Sequence, residues 1–347
     1  MERKQILVGG VPVGAGAPVT VQSMTNTRTD DVEATAAQIR RLEDAGCDIV
    51  RVAVPDMEAA RAIGAIRERI GIPLVADIHF NYRLALEAVA AGADKIRLNP
   101  GNIGGEDRVK AVAEACRLRK VPIRIGVNGG SVEKPILAKY GGVTPEALAE
   151  SALGHAALLE KFDFDDICLS VKASSVPLTV AAYRLLRERT PYPLHVGVTE
   201  TGTEAMGIVK SAAGIGALLL EGIGDTIRVS LTADPVREAE TGVELLRALE
   251  LRGGPRLVSC PTCGRTRIDL IAMAGEVEAR LKHVRKDITV AVMGCAVNGP
   301  GEASHADFGI AGGDGEGILF AKGKIIGKAP AAELVDRLME MIEEKTK

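Results

Sequence analysis

The chain has 347 residues, 46% hydrophobic and 26% charged, with a formal net charge of −3. That length suits one large domain plus a small one, and the composition is that of a globular protein. The acidic balance and the 3% aromatic content exclude a general nucleic-acid binder, which needs a basic surface and stacking rings.

The chain opens on MERKQILVGG, which carries charges but no long apolar run, so no signal peptide is expected. No later apolar run reaches membrane-spanning length, so no membrane partner is expected either. A cytoplasmic location with reduced thiols is therefore expected, and the six cysteines are not read as a disulfide framework. ILVGGVPVGAG predicts a hairpin turning at Gly9-Gly10, placed to cap the bottom of a barrel. Strands are then predicted at 19–24, 48–54, 73–78, 95–100, 122–127, 166–173, 193–199 and 226–231. Without Trp, their core comes from Val, Ile, Leu and Ala, which suits parallel strands buried on both faces. Helical spacing recurs between them, as in VEATAAQIRRLEDAG and GEDRVKAVAEACRLRK, with caps expected at Asp56 and at Thr144 before Pro145. Eight strand–helix units favour a closed (β/α)8 TIM barrel over an open doubly wound sheet. No G-x-G-x-x-G follows the first strand, where a dinucleotide site would need it. The barrel is assigned to residues 1–250 and a linker, LRGGPRL, to 251–258. A small α+β domain fills 259–347: a helix near 268–284, the strands ITVAVMG, FGIAG, GILFAKG and KIIGKA, and a closing helix.

Five strands carry a cation between apolar neighbours: Arg51, Arg97, Arg124, Lys172 and Arg228. Alternation turns each away from its neighbours, and in a barrel that direction is inward. Several unpaired cations in one interior cost too much to bury, so they need anions. Internal ion pairs with Asp77 and Glu200 are one solution, but the cations outnumber those acids. A polyanionic ligand at the C-terminal mouth is the better one, and Arg favours phosphate, so a diphosphate is expected. Polar residues gather where the strands end, among them His79, Asn99, Asn102, Asn128 and Ser230.

Cys47, Cys116 and Cys168 lie in or beside apolar elements and read as small buried hydrophobes. Cys260 and Cys263 form C-x-x-C, and Cys295 stands on the bare turn MGCAVNGPGEA, with Glu302 and His305 nearby. Zinc and a [4Fe–4S] cluster both suit this spacing.

VQSMTNT, ADIHF, KIRLNPGN, RIGVN, SVKAS, HVGVTETG, GIGDTIRVSLT, SCPTCGRT and MGCAVNGPGEA occur in this order over nearly the whole chain. In these motifs the chain resembles the 4-hydroxy-3-methylbut-2-enyl diphosphate synthases of the methylerythritol phosphate route to isoprenoids, in their two-domain bacterial form. The resemblance implies one [4Fe–4S] cluster per chain, held by Cys260, Cys263, Cys295 and Glu302. It implies 2-C-methyl-D-erythritol 2,4-cyclodiphosphate as substrate and flavodoxin or ferredoxin as electron donor. On that basis Arg51, Arg97, Arg124 and Lys172 are expected to hold the diphosphate, with Asn128 and Ser230 adding neutral hydrogen bonds. Asp77 is expected to orient the diol, and Glu200 to protonate the departing hydroxyl, helped by burial away from the cations. Glu302 is expected to be a ligand that substrate displaces. A non-redox phosphate-binding barrel with a structural zinc appendage is the rival reading. The linker spans at most roughly 28 Å, so a homodimer sharing its sites between chains is expected.

Overall fold

A computed structural model describes residues 2–284, 286–295, 301 and 303–346; Glu302 and the turn at 296–300 lie outside these. The chain divides into two compact units, Met1–Leu251 and Arg252–Lys347.

The first unit begins with the hairpin β1 (Gln5–Val8) and β2 (Val11–Gly14). Gly9 and Gly10 turn it with φ of 54° and 93°, the left-handed region that favours glycine. Ile6, Val8 and Val13 pack against Ile49, Val75 and Cys168, closing the N-terminal end of the barrel. The barrel strands are β3 (Thr20–Met24), β4 (Ile49–Ala53), β5 (Leu74–Asp77), β6 (Lys95–Leu98) and β7 (Ile123–Asn128). They continue with β8 (Ile167–Lys172), β9 (His195–Val196) and β10 (Thr226–Ile227). All pair in parallel, in the order β8-β7-β6-β5-β4-β3-β10-β9. The Leu169 N–H donates to the Pro193 carbonyl at 2.9 Å, which joins β8 to the segment entering β9 and completes the ring.

Nine helices are described in this unit, α1 (Val32–Asp44) to α9 (Pro235–Ala248). Asp56 accepts from Ala59 N at the start of α2 (Met57–Arg67), and Thr144 from Ala147 N at the start of α6 (Pro145–Glu160). Each cation's strand neighbours, such as Val50 and Val52 or Ile123 and Ile125, are fully buried against the helices. Each such side chain contributes about 1.5–3 kcal/mol, and this outer core fixes the inward direction of Arg51 and Arg124.

In the second unit β11 (Arg256–Ser259), β12 (Thr289–Met293) and β13 (Phe308–Gly312) pair in parallel. The strands β14 (Glu316–Ala321) and β15 (Lys324–Pro330) extend the sheet antiparallel. Strand β11 occupies part of 251–258, which the Gly-Gly-Pro pattern marks as linker. RLVS there has half-buried and exposed residues and is held by pairing with β12 rather than by burial. The helices α10 (Leu270–Leu281) and α11 (Leu334–Thr346) pack Val277, Leu281, Leu338 and Ile342 onto Val290, Val292 and Ile310.

Candidate functional site

The barrel cations meet at the C-terminal ends of the strands. A cavity of about 150 Å³ is lined there by Arg51, Asp77, Arg97, Arg124, Asn128, Lys172, Arg228 and Ser230, with His79, Gly126, Ser170 and Thr199. Seven residues expected at the substrate site are therefore neighbours: Arg51, Asp77, Arg97, Arg124, Asn128, Lys172 and Ser230. Glu200 is not among them. It is exposed on the loop after β9, so the burial that its acid role calls for is absent. Its φ of 54° is unusual for a residue other than glycine, and such strain often marks functional loops.

Charge in the cavity is unequally satisfied. Asp77 sits between two arginines, 3.0 Å from Arg97 Nη1 and 3.6 Å from Arg51 Nε. Burial alone would push its carboxyl up. Arg51, the neighbouring His79 and Arg97 outweigh that and hold it well below the usual carboxylate range. Arg51 also rests its guanidinium on Met24 Sδ, at 3.0 and 3.1 Å. Arg228 reaches Glu238 on α9 at 3.1 Å, an acid that strand-end reasoning does not find because it lies on a helix.

Arg124 and Lys172 have no carboxylate partner among the described residues. Arg124 is 2% exposed, its Nε and Nη1 have no partner, and burial followed by Arg97 lowers its pKa to about 10. Lys172 Nζ lies 3.3 Å from Nε2 of fully buried His195. Internal ion pairing thus accounts for Arg51, Arg97 and Arg228 and, of the cavity's five basic side chains, leaves Arg124 and Lys172 for a ligand.

Two glycines make this crowding possible. A Cβ on Gly126 would stand 2.6 Å from Arg97 Nε, and one on Gly197 would stand 2.6 Å from Lys172 Nζ. A glycine inside an apolar strand pattern is the sequence signal for such close approach.

In the second unit Cys260 and Cys263 follow β11, and Cys295 follows β12, the adjacent parallel strand. The carboxyl ends of parallel strands are the usual place for ligands in open α/β sheets. The Gly294 N–H donates to Cys260 Sγ at 3.2 Å, and Arg267 N–H to the Gly294 carbonyl at 2.9 Å, so the two cysteine loops touch. Cys263 is exposed, and Cys260 and Cys295 are half-buried, unlike buried Cys47, Cys116 and Cys168. Hydrogen bonding from Arg265 lowers the Cys263 pKa. The lowered pKa of Cys263, the shared location and an N–H already aimed at sulfur fit an iron–sulfur ligand set. Among the described residues no three Cys, His, Asp or Glu are drawn together to metal-binding distance, and Glu302 lies outside those residues. The unit also has an open groove of about 760 Å³ with Lys286, Lys322, Lys324 and Lys345 around Phe308 and Ile288. Ile288 precedes β12 and Cys295 follows it, so the groove lies at the other end of this sheet.

Comparison with known proteins finds a match for each unit. The GcpE TIM-barrel domain model matches residues 3–243, and the GcpE protein C-terminal domain model matches residues 256–344. The chain belongs to the GcpE family. This GcpE protein is 60% identical over 344 residues to the 4-hydroxy-3-methylbut-2-en-1-yl diphosphate synthase (flavodoxin) of Ruminiclostridium cellulolyticum, covering 99% of this chain and 98% of that protein. It is 58% identical over 345 residues to the protein of the same name from Caldanaerobacter subterraneus subsp. tengcongensis, covering 99% and 97%. Among solved structures, type I 3-dehydroquinate dehydratase from Clostridium difficile superposes with a TM-score of 0.51 at 14% identity, over 72% of this chain and 97% of that one. Dihydropteroate synthase from Xanthomonas albilineans gives 0.50 at 17% identity, over 71% and 97%. At such identities these two show the barrel fold alone. No described helix is long and apolar enough to cross a membrane.

Proposed function

We propose that this GcpE protein opens the ring of 2-C-methyl-D-erythritol 2,4-cyclodiphosphate and removes one oxygen as water, giving 4-hydroxy-3-methylbut-2-enyl diphosphate. The observation that carries the reading is the surplus of buried basic side chains over carboxylates in the barrel cavity. Such a surplus calls for a compact dianion, and a cyclic diphosphate is one. Arg51, Arg97, Arg124 and Lys172 hold its phosphates, while Asn128 and Ser230 add neutral hydrogen bonds. Asp77, kept ionised by its arginines, accepts hydrogen bonds from the diol and orients it.

The net change takes in two electrons and two protons. One ring carbon–oxygen bond and one carbon–hydroxyl bond break, and water leaves. Glu200 is the acid nearest in role for the departing hydroxyl. Its exposure means that this role requires water to be excluded from the loop after β9 when substrate is held. Cys260, Cys263, Cys295 and Glu302 are the residues that would hold a [4Fe–4S] cluster. When bound, it supplies single electrons and a Lewis-acidic iron. The donor is a flavodoxin or ferredoxin, and the active form is a homodimer in the cytoplasm.

The test is analytical and enzymatic. Anaerobically purified protein should be brown, with roughly four irons per chain and labile sulfide, and should consume the cyclodiphosphate when reduced. Cys295→Ser should lose most of the iron, while Glu302→Ala should keep a less stable cluster on three thiolates. Zinc in place of iron would favour a non-redox barrel with a structural zinc appendage.

A further inference from the structure

We propose that Lys172 is neutral in the ligand-free barrel and becomes an ammonium ion as a diphosphate enters, with His195 as the residue that positions it. This rests on the proposed diphosphate substrate and adds a proton to its binding. Lys172 ends β8 and is 8% exposed; His195 opens β9 and is wholly buried. Their Nζ and Nε2 are 3.3 Å apart, and no carboxylate among the described residues stands within ion-pair distance of that Nζ.

The groups facing the pair are mostly positive. Arg124 from β7, Arg51 from β4 and Arg228, the residue after β10, act on Lys172, and Lys95 from β6 adds to them at His195. The acids are occupied. Glu238 from α9 pairs with Arg228 and acts on Lys172 less than any of the three arginines does, and Asp77 from β5 is held by Arg97 and Arg51. Cys168 on β8 and Tyr183 on α7 (Val176–Arg189) bring no negative charge, because burial pushes the thiol and the phenol up. Burial first, then Arg124, Arg228 and Arg51, lower the proton affinity of Lys172 well below that of an ordinary lysine. Burial first, then Arg124, do the same to His195, which keeps its ring uncharged, and in the tautomer protonated at Nδ1 its Nε2 accepts from Lys172. The Lys172 site is tight as well: a Cβ on Gly197 would meet Lys172 Nζ at 2.6 Å and the Arg228 carbonyl at 2.5 Å.

A neutral amine is cheap to bury there and an ammonium among three guanidinium groups is not. A cyclic diphosphate reverses the balance with two fixed negative charges. One proton then moves from solvent to Nζ. One N–H is directed to His195 Nε2, and the others are left for phosphate oxygens. Because the ligand raises the pKa, binding weakens as pH rises between the free and bound values, by up to about tenfold per pH unit.

The experiment is calorimetric titration of full-length holoenzyme with the cyclodiphosphate, without reductant, at about pH 8 in MOPS and in Tris. Each phosphorus of this ligand carries one ester and one anhydride link, leaving a single strongly acidic hydroxyl that exchanges no proton near neutrality, so a buffer-dependent heat counts protons taken up by the protein. Uptake approaching about one proton per site is expected. Lys172→Met should bind about tenfold or more weakly through the arginines, with the uptake abolished and the Kd flat against pH. His195→Gln keeps an acceptor and should preserve the proton number. His195→Leu should shift the pH at which Kd begins to rise. Equal heats in the two buffers at an unchanged Kd would overturn the proposal and leave the diphosphate substrate standing. Undiminished uptake in Lys172→Met would overturn the assignment to that residue. No binding in either buffer would instead sink the diphosphate reading itself.

Discussion

Arg124 spends stability on function, and that cost can be measured. Its guanidinium is buried beside Arg97 with two nitrogens unpartnered. Replacing such a group by an apolar side chain of similar length removes a desolvation cost. Arg124→Met should therefore raise the unfolding free energy of ligand-free protein by about 1–4 kcal/mol while abolishing diphosphate binding. A lower melting temperature without ligand would contradict this. Asp77 is the opposite case. Asp77→Asn leaves Arg51 and Arg97 without their shared carboxylate and should destabilise the barrel by about 3–5 kcal/mol near neutrality. The sign with pH follows from its depressed pKa. The stability it contributes is present above the unfolded carboxyl value of about 4 and is lost as pH falls below it. Urea unfolding of both proteins should show the gap narrowing below about pH 4, and a gap independent of pH would exclude the ion-pair origin.

At the scale of the strand, two glycines make a sharper pair of tests. Gly126→Ala puts a methyl 2.6 Å from Arg97 Nε, the end of a flexible side chain that can move aside. The barrel should stay folded while Arg97 leaves Asp77, weakening diphosphate affinity by about tenfold. Gly197→Ala meets a backbone carbonyl at 2.5 Å, which cannot move aside. It should lower the melting temperature as well as the affinity. Equal effects of the two substitutions on melting would remove the distinction. These strands also show what can be read without coordinates. Val50-Arg51-Val52 and Ile123-Arg124-Ile125 state their own orientation, because a period of two leaves the cation no other face. His195 and Glu238 do not. Each matters through a partner distant in sequence, Lys172 and Arg228, and nothing local marks it. The last two barrel strands are predicted at 193–199 and 226–231 but pair only over His195–Val196 and Thr226–Ile227. Apolar alternation continues past the ladder, where the Arg228 carbonyl crowds the backbone at Gly197. Strand β11 is missed for the converse reason: its pairing with β12 is non-local, while its sequence neighbours are turn formers.

At the scale of the whole chain, reach constrains how a cluster could serve the barrel. The helix α9 ends at Ala248 and β11 starts at Arg256, leaving residues 249–255 as the connection. Fully extended, they span about 24 Å. A compact unit the length of the barrel has a radius of gyration of roughly 18 Å and so a breadth of about 45 Å. The last helix of a (β/α)8 barrel returns the chain to the face opposite the strand carboxyl ends. We propose that a second chain supplies the cluster in a closed twofold pair, because this connection is shorter than such a barrel is broad. Two inactive variants, Arg97→Ala in the barrel and Cys263→Ser in the cysteine loop, should therefore complement when co-expressed. With random pairing half the dimers are mixed, and each mixed dimer holds one site with both parts intact. About a quarter of wild-type activity should return. A site built within one chain leaves every mixed dimer inactive, so background activity in verified mixed dimers would exclude the shared arrangement.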